Sequence, residues 1–314
     1  MSEDISLFII GLPRSGTKLI RELLNNHNDI YIPSIEAYFI PHLIRKYGNR
    51  KLNGEEVVSV IQEIKTSLFF FYYAEKHQFD FSKFNLEDIT VNDLIYLIWK
   101  ELAIKELGKT VKILGGKTPR NISHIKLLLD SFSNCKIIHI VRDPRDNVLS
   151  AKNTWNKNIF RTAYKWQLGV DNLKKYRNNR ERIMEVKYED LIVSPKEVLK
   201  DLCNFIGVSY QCGMDKLQID VENKGGFIDG SNFNNYKTGL SKSELEYVER
   251  LTKKGLEHYG YKLESKDCKF ISYPGLPKLL FWQAQDVINL ALYNIREHGI
   301  LRGIEKMKKA HKHA

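Results

Sequence analysis

No C-x-x-C pair occurs in this sequence. Its four cysteines, Cys135, Cys203, Cys212 and Cys268, are widely spaced, which argues against a zinc site or a disulfide framework and fits a reducing compartment. No run of about 18 apolar residues, the length needed to span a bilayer, is present. The start, Met1-Ser2-Glu3-Asp4, is acidic and leads straight into an apolar run, unlike a secretory leader. The expectation is therefore a cytoplasmic protein that needs no metal. No internal repeat and no nucleic-acid recognition motif stands out, and the basic residues are dispersed rather than gathered into an arm. A net charge of +11 thus points to an anionic ligand rather than to nucleic acid.

What is present is organised around Ile5 to Leu24, ISLFIIGLPRSGTKLIRELL. Ser6 to Ile10 reads as a strand buried on both faces of a parallel sheet, Gly11 to Gly16 as a turn, and Leu19, Ile20, Leu23 and Leu24 as a helix face. Backbone N–H groups at such a turn point outward and the helix dipole adds positive charge, so the loop suits a phosphate. Arg14 and Lys18 add full charges there, and Ser15 and Thr17 add hydroxyl donors around Gly16. A nucleoside-triphosphate loop needs G-x-x-x-x-G-K-[ST]. Gly11 and Gly16 have that separation, but Thr17-Lys18 follows and the cation stands before the second glycine, at Arg14. An ATP-using kinase or NTPase is the rival reading, and this order weakens it.

Strands alternating with helices indicate an α/β chain with a parallel, helix-covered sheet. Val111–Leu114, Lys136–Val141 and Ile183–Val186 read as further inner strands, each ending in a polar cluster: GGKTPR, RDPRD and YED. Ligands of such sheets bind beyond the carboxyl ends of the strands. Residues 55–107 read as helices, with the aromatic run Phe69 to Tyr73 as core packing. Residues 222–240 read as a glycine- and asparagine-rich loop, and Ser241 to His258 as a helix. The chain divides into an α/β domain over 1–265 and a helical basic extension over 266–314, with Lys306, Lys308, Lys309 and Lys312 near its end. That extension suits packing on the domain, an oligomer contact or peripheral contact with a membrane. A non-enzymatic anion- or membrane-surface-binding protein is a second alternative.

The loop resembles the 5′-phosphosulfate loop of the sulfotransferases, G-x-P-R-S-G-T-x-x-L, matched by Gly11, Pro13, Arg14, Ser15, Gly16 and Thr17. Arg142 and Ser150, eight residues apart in VRDPRDNVLS, resemble the motif of that family that grips the 3′-phosphate of 3′-phosphoadenosine 5′-phosphosulfate (PAPS). Tyr188 in YEDL resembles the tyrosine placed near the adenine, and Ser231 and Lys237 in SNFNNYKTG resemble the last cofactor-binding segment. Glu36 in IPSIEAYF resembles the glutamate base of the carbohydrate and tyrosylprotein branch, and Lys117 in GGKTP the lysine that contacts the transferring sulfonate. His42 is a rival base, since other members use histidine. The resemblance implies the P-loop-like sulfotransferase fold. It also implies transfer of a sulfuryl group from PAPS to an acceptor hydroxyl, leaving adenosine 3′,5′-bisphosphate (PAP). Glu36, Lys117 and Arg14 would be catalytic. Arg14, Ser15, Gly16, Thr17, Lys18, Arg142, Ser150, Tyr188, Ser231 and Lys237 would hold the donor. A carbohydrate is the first expectation for the acceptor, with lipid, phenol and peptide tyrosine as the others.

Overall fold

A computed structural model describes residues 5–304 except 75, 76, 78, 218–227, 267 and 303. In chain order it runs β1 (Leu7–Gly11), α1 (Thr17–Asn25), β2 (Ile30–Tyr31), α2 (Phe39–Tyr47), α3 (Gly54–Lys65), α4 (Leu68–Ala74) and α5 (Val91–Leu107). Then follow β3 (Ile113–Lys117), α6 (Ile125–Ser131), β4 (Lys136–Val141), α7 (Pro144–Trp155), α8 (Ile159–Leu173) and β5 (Ile183–Lys187). The last elements are α9 (Tyr188–Val193), α10 (Pro195–Ile206), α11 (Tyr236–Gly239), α12 (Lys242–Tyr259) and α13 (Leu276–His298). The strands form one five-stranded sheet in the order β2-β3-β1-β4-β5, every pair parallel. The parallel, helix-flanked sheet expected from the sequence is therefore present.

β1 sits at the centre because it is apolar on both faces. Phe8 and Ile10 enter one core with α2, α5 and α6, while Leu7 and Ile9 enter another with α1, α9 and α10. Chain order reverses around β1, which opens a crevice where the loops after β3, β1 and β4 meet. Register places Lys117 beside Ile9, and Gly11 beside Ile140, so the three carboxyl ends are adjacent.

β3 differs from its expected span. It continues through Gly115-Gly116-Lys117, which the sequence reading took as the turn. A Cβ on Gly115 would come within 3.1 Å of the Leu7 carbonyl oxygen, and Trp99 Nε1 donates to the Gly115 carbonyl at 2.6 Å. The glycines let β3 lie close against its neighbours, so Lys117 is the last residue of an inner strand. The run Phe69 to Tyr73 is core as expected at its two ends: Phe69 stacks on Trp99 at 4.9 Å, and both Phe69 and Tyr73 are buried.

Of the expected loop over 222–240, residues 222–227 lie outside the described residues; 228–235 are irregular and α11 follows. α13 packs on the sheet domain. Its Asp286 pairs with Arg161 of α8 at 2.6 Å, accepts from the Asn158 amide at 2.8 Å, and neighbours the buried Trp282. The basic tail residues Lys306, Lys308, Lys309 and Lys312 lie outside the described residues.

Candidate active site

The crevice holds a cavity of about 770 Å³. Its donor-side wall begins with the turn after β1. Arg14 has φ +72° and Gly16 φ +94°, both left-handed, and α1 starts at Thr17 without a side-chain cap. A Cβ on Gly16 would lie 2.4 Å from Tyr188 Cδ2, so only glycine lets the turn pass under that ring. The turn is held from below by Asn147 of α7. Fully buried, it donates to the Pro13 carbonyl at 3.0 Å and to Ser15 Oγ at 3.1 Å.

Arg14 Nε donates to Ser150 Oγ at 3.0 Å and its guanidinium lies 5.3 Å from the Trp155 ring. Arg142 leaves the end of β4 and donates to the carbonyls of Arg14 at 3.3 Å and Asn232 at 3.1 Å. It lies 4.4 Å from the Tyr188 ring, whose hydroxyl accepts from Asn232 Nδ2 at 2.7 Å. Arg142 is 6% exposed, and its Nε is buried with no partner. An unsatisfied buried donor costs about 1–3 kcal/mol, so this guanidinium at a cavity wall fits an anion.

The rest of the RDPRD turn is framework. Arg145 forks onto Asp143 at 2.6 and 2.9 Å, pairs with Glu249 at 2.6 Å and covers the Tyr236 ring at 4.1 Å. Asp146 accepts from the Asn234 and Tyr236 amides at 2.6 and 2.9 Å, and burial holds its carboxyl above the usual range. These bonds tie the segment after residue 228 to α7, which is how Asp229, Asn232 and Asn235 reach the cavity. Ser231 instead bonds to Asp229 at 2.6 Å, and Lys237, half-exposed, pairs with Glu264 at 3.1 Å; neither borders the cavity. Ser15 is buried beneath the turn, while Thr17 and Lys18 border the cavity.

Glu36 and Lys117 also border the cavity and pair with each other. Lys117 Nζ, 7% exposed, lies 2.7 Å from Glu36 Oε1, and the Tyr38 hydroxyl donates to Glu36 Oε2. Burial, with the Glu36 charge second, pushes the Tyr38 phenol well above its ordinary pKa, so it stays protonated and remains a donor. Arg120 lies 5.5 Å from the Tyr38 ring. The segment carrying Glu36 is pinned at both ends: the Ser34 amide donates to the Tyr73 hydroxyl at 2.9 Å, and the Ala37 amide to Thr118 Oγ1 at 3.2 Å.

His42 pairs with Glu63 at 2.9 Å and does not border the cavity. His27, His124 and His139 also lie outside it. Among the described residues, no group of three His, Cys, Asp or Glu side chains is placed to hold a metal.

Sequence reading missed several lining residues. Tyr38 stands two positions after Glu36, and Asn153, Thr154 and Trp155 lie one turn beyond Ser150, so both groups had a local signal. Asn232 stands beside Ser231 in the SNFNNYKTG segment and so had one too, whereas the α13 residues Leu290, Tyr293 and Asn294 had none, because long-range packing brings them in.

One parallel sheet thus brings together a glycine-bounded turn that suits an anion after its central strand, a second cation at the next strand end and a lysine–carboxylate pair. The Sulfotransferase family matches residues 6–211, and the chain belongs to that family. It is 23% identical over 213 residues to a protein-tyrosine sulfotransferase of Drosophila melanogaster, covering 65% of this chain and 38% of that one. It is 25% identical over 261 residues to an omega-hydroxy-beta-dihydromenaquinone-9 sulfotransferase of Mycobacterium bovis, covering 68% and 66%. The chain thus spans only about 38–53% of the length of the tyrosine sulfotransferases it matches. Among solved structures it is similar in fold to the sulfotransferase domain of the curacin biosynthetic pathway, with a TM-score of 0.55 at 20% identity, covering 83% of this chain and 99% of that one. The sulfotransferase domain of the Synechococcus PCC 7002 olefin synthase gives 0.54 at 20%, covering 83% and 96%.

Proposed function

We propose that the protein transfers a sulfuryl group from PAPS to an acceptor hydroxyl. The observation that carries this is the meeting, in one cavity, of Arg14 and Arg142 with the Glu36–Lys117 pair. The donor supplies an electrophilic sulfur with a good leaving group. As the bond from the acceptor oxygen to sulfur forms and the bond from sulfur to the bridging oxygen breaks, Glu36 takes the acceptor proton. Tyr38 and Lys117 each hold one Glu36 oxygen, which fixes the carboxylate in place. Arg14, the turn amides, Thr17 and Lys117 take up charge on the leaving phosphate, the place where fixed donors count most. Arg142, with Ser150 and Tyr188 around it, holds the 3′-phosphate end. Ser231 and Lys237 stay in the proposed donor set, and reaching it requires them to leave Asp229 and Glu264.

A carbohydrate hydroxyl is the acceptor we propose. The Glu36 segment supports it by its similarity to glycan enzymes, and Asn153, Thr154 and Asn294 supply hydrogen-bonding groups to the wall. Peptide tyrosine and a lipid hydroxyl, the acceptors in the names of the relatives, are the competing outcomes. Peripheral membrane contact through the C-terminal extension, and a cytoplasmic location, belong to the same proposal. Calorimetry with PAP against ATP, with and without Mg²⁺, tests the donor reading. Tight, metal-independent binding of PAP is expected; preference for ATP with Mg²⁺ overturns it.

A further inference from the structure

α13 has two unlike faces. Its inner face carries the buried Trp282 and Asp286, and Leu290, Tyr293 and Asn294 line the cavity. Its outer face is apolar and open to solvent: Leu276 is 68% exposed, Leu280 56%, Phe281 67%, Val287 48%, Ile288 59% and Leu292 61%. At 1.5 Å rise per residue this stripe runs about 24 Å. Scattered apolar residues on a surface need no explanation, but a continuous apolar face does. No helix among the described residues is long and apolar enough to cross a membrane, so α13 does not read as a span.

Charge decides between the occupants of such a face. Residues 276–314 hold seven lysines and arginines against three acidic residues, and one of the three, Asp286, is consumed by Arg161. Lys278 and Arg296 are five helical turns apart, so they fall along the same border of the stripe. A second copy would bring equal rows of positive charge together. An anionic surface would be attracted by them. Apolar residues on one face with basic residues at its border and beyond form the pattern of a helix lying in a bilayer interface.

We propose that the outer face of α13 docks on an anionic membrane surface, with the helix lying in the plane of the headgroups. This places the inner face, with the part of the cavity wall formed by Leu290, Tyr293 and Asn294, about one helix diameter from the docked face. Resting on the transferase reading, the acceptor is then a carbohydrate hydroxyl carried on an amphiphile displayed at that surface. The docking itself does not depend on that reading.

The test uses the full chain saturated with PAP and sedimented with vesicles. Vesicles of phosphatidylcholine mixed with phosphatidylglycerol are expected to retain it about tenfold or more better than phosphatidylcholine alone, and added salt should release it. The double variant Phe281→Glu with Ile288→Glu should partition about a hundredfold more weakly, with PAP affinity unchanged. Val58→Glu, at an equally exposed apolar position on α3, should bind vesicles as the native chain does. Absence of retention on the anionic vesicles, or retention indifferent to the double variant, overturns the proposal. So does a stable dimer that the double variant splits, which would assign the face to a second copy. Failure of PAP to bind would strike the donor reading while leaving the vesicle result intact.

Discussion

Removing the Arg142 guanidinium separates the two ends of the donor. In the folded chain Arg142 donates to the carbonyls of Arg14 and Asn232, lies 4.4 Å from the Tyr188 ring and keeps a buried Nε without a partner. Arg142→Ala removes two neutral-acceptor bonds of about 1 kcal/mol each and a cation–π contact of about 0.5–2 kcal/mol. Relief of the unsatisfied Nε offsets part of that, leaving a loss of about 1–3 kcal/mol and a drop in Tm of about 2–6 °C. For the donor, the loss of charge-assisted bonds to a phosphate is worth about 1.5–3 kcal/mol, or about a 10- to 150-fold rise in Kd. The assay is calorimetry with PAP and with adenosine 5′-monophosphate, which lacks the 3′-phosphate. Arg142→Ala should weaken PAP by that factor and the monophosphate by less than about threefold. Arg142→Lys, which keeps the charge but not the planar fork, should fall between. Equal losses for both nucleotides would place Arg142 in the framework with Arg145, and no loss for either would remove it from the site.

Gly16→Ala meets both a left-handed backbone at φ +94° and the Tyr188 ring at 2.4 Å, so a loss of about 2–4 kcal/mol in thermal unfolding is expected, together with weaker PAP binding; a native-like melt and affinity would refute the packing argument. Glu36→Gln keeps the shape but loses the charge facing Lys117, turns one of the two acceptor oxygens into a donor, and cannot take a proton. Its turnover should fall about 10²- to 10⁴-fold on every hydroxyl acceptor the native chain accepts, with PAP affinity unchanged, and a loss under about threefold would remove Glu36 from the role of base. Lys165 offers a pH test. Desolvation of its ammonium by the surrounding protein, with Arg161, Arg120 and Lys157 adding repulsion, pulls it down to about 8, although the residue is exposed overall. The unfolded group titrates near 10.4, so the unfolded chain binds the extra proton between those values. Stability therefore rises with pH across that window, and the full penalty applies below about 8. Lys165→Met should raise stability at neutral pH, by less than about 1 kcal/mol given the exposure of the residue, and the gain should vanish towards pH 10.4; a gain constant with pH would refute the crowding.

Local pattern carried much of this molecule. β1 and β4 are legible because strands buried on both faces must be apolar throughout, and the Gly11–Gly16 turn because left-handed backbone and close approach admit little but glycine. Arg14, Lys117 and Arg142 stand where a parallel sheet presents its carboxyl ends to one crevice, and the resemblance to sulfotransferase motifs singled them out within those clusters. β3, expected over Val111–Leu114, starts two residues later and ends three residues later, since Gly115-Gly116 looks like a strand end until the Leu7 backbone and Trp99 are known to press against it.

The sequence by itself determined the sheet, the order of its motifs and the chemistry each turn could offer, because these depend on neighbours in the chain and on side-chain type. Only the tertiary structure decided which of those side chains share the cavity. Asn147 and Arg145 turned out to brace the site from beneath, Asn232 came in through the Asp146 cap, and Ser231 and Lys237 found carboxylates of their own. α13 was legible as an apolar helix, but not as one wall of the site, because the Arg161–Asp286 pair that seats it joins residues 125 positions apart.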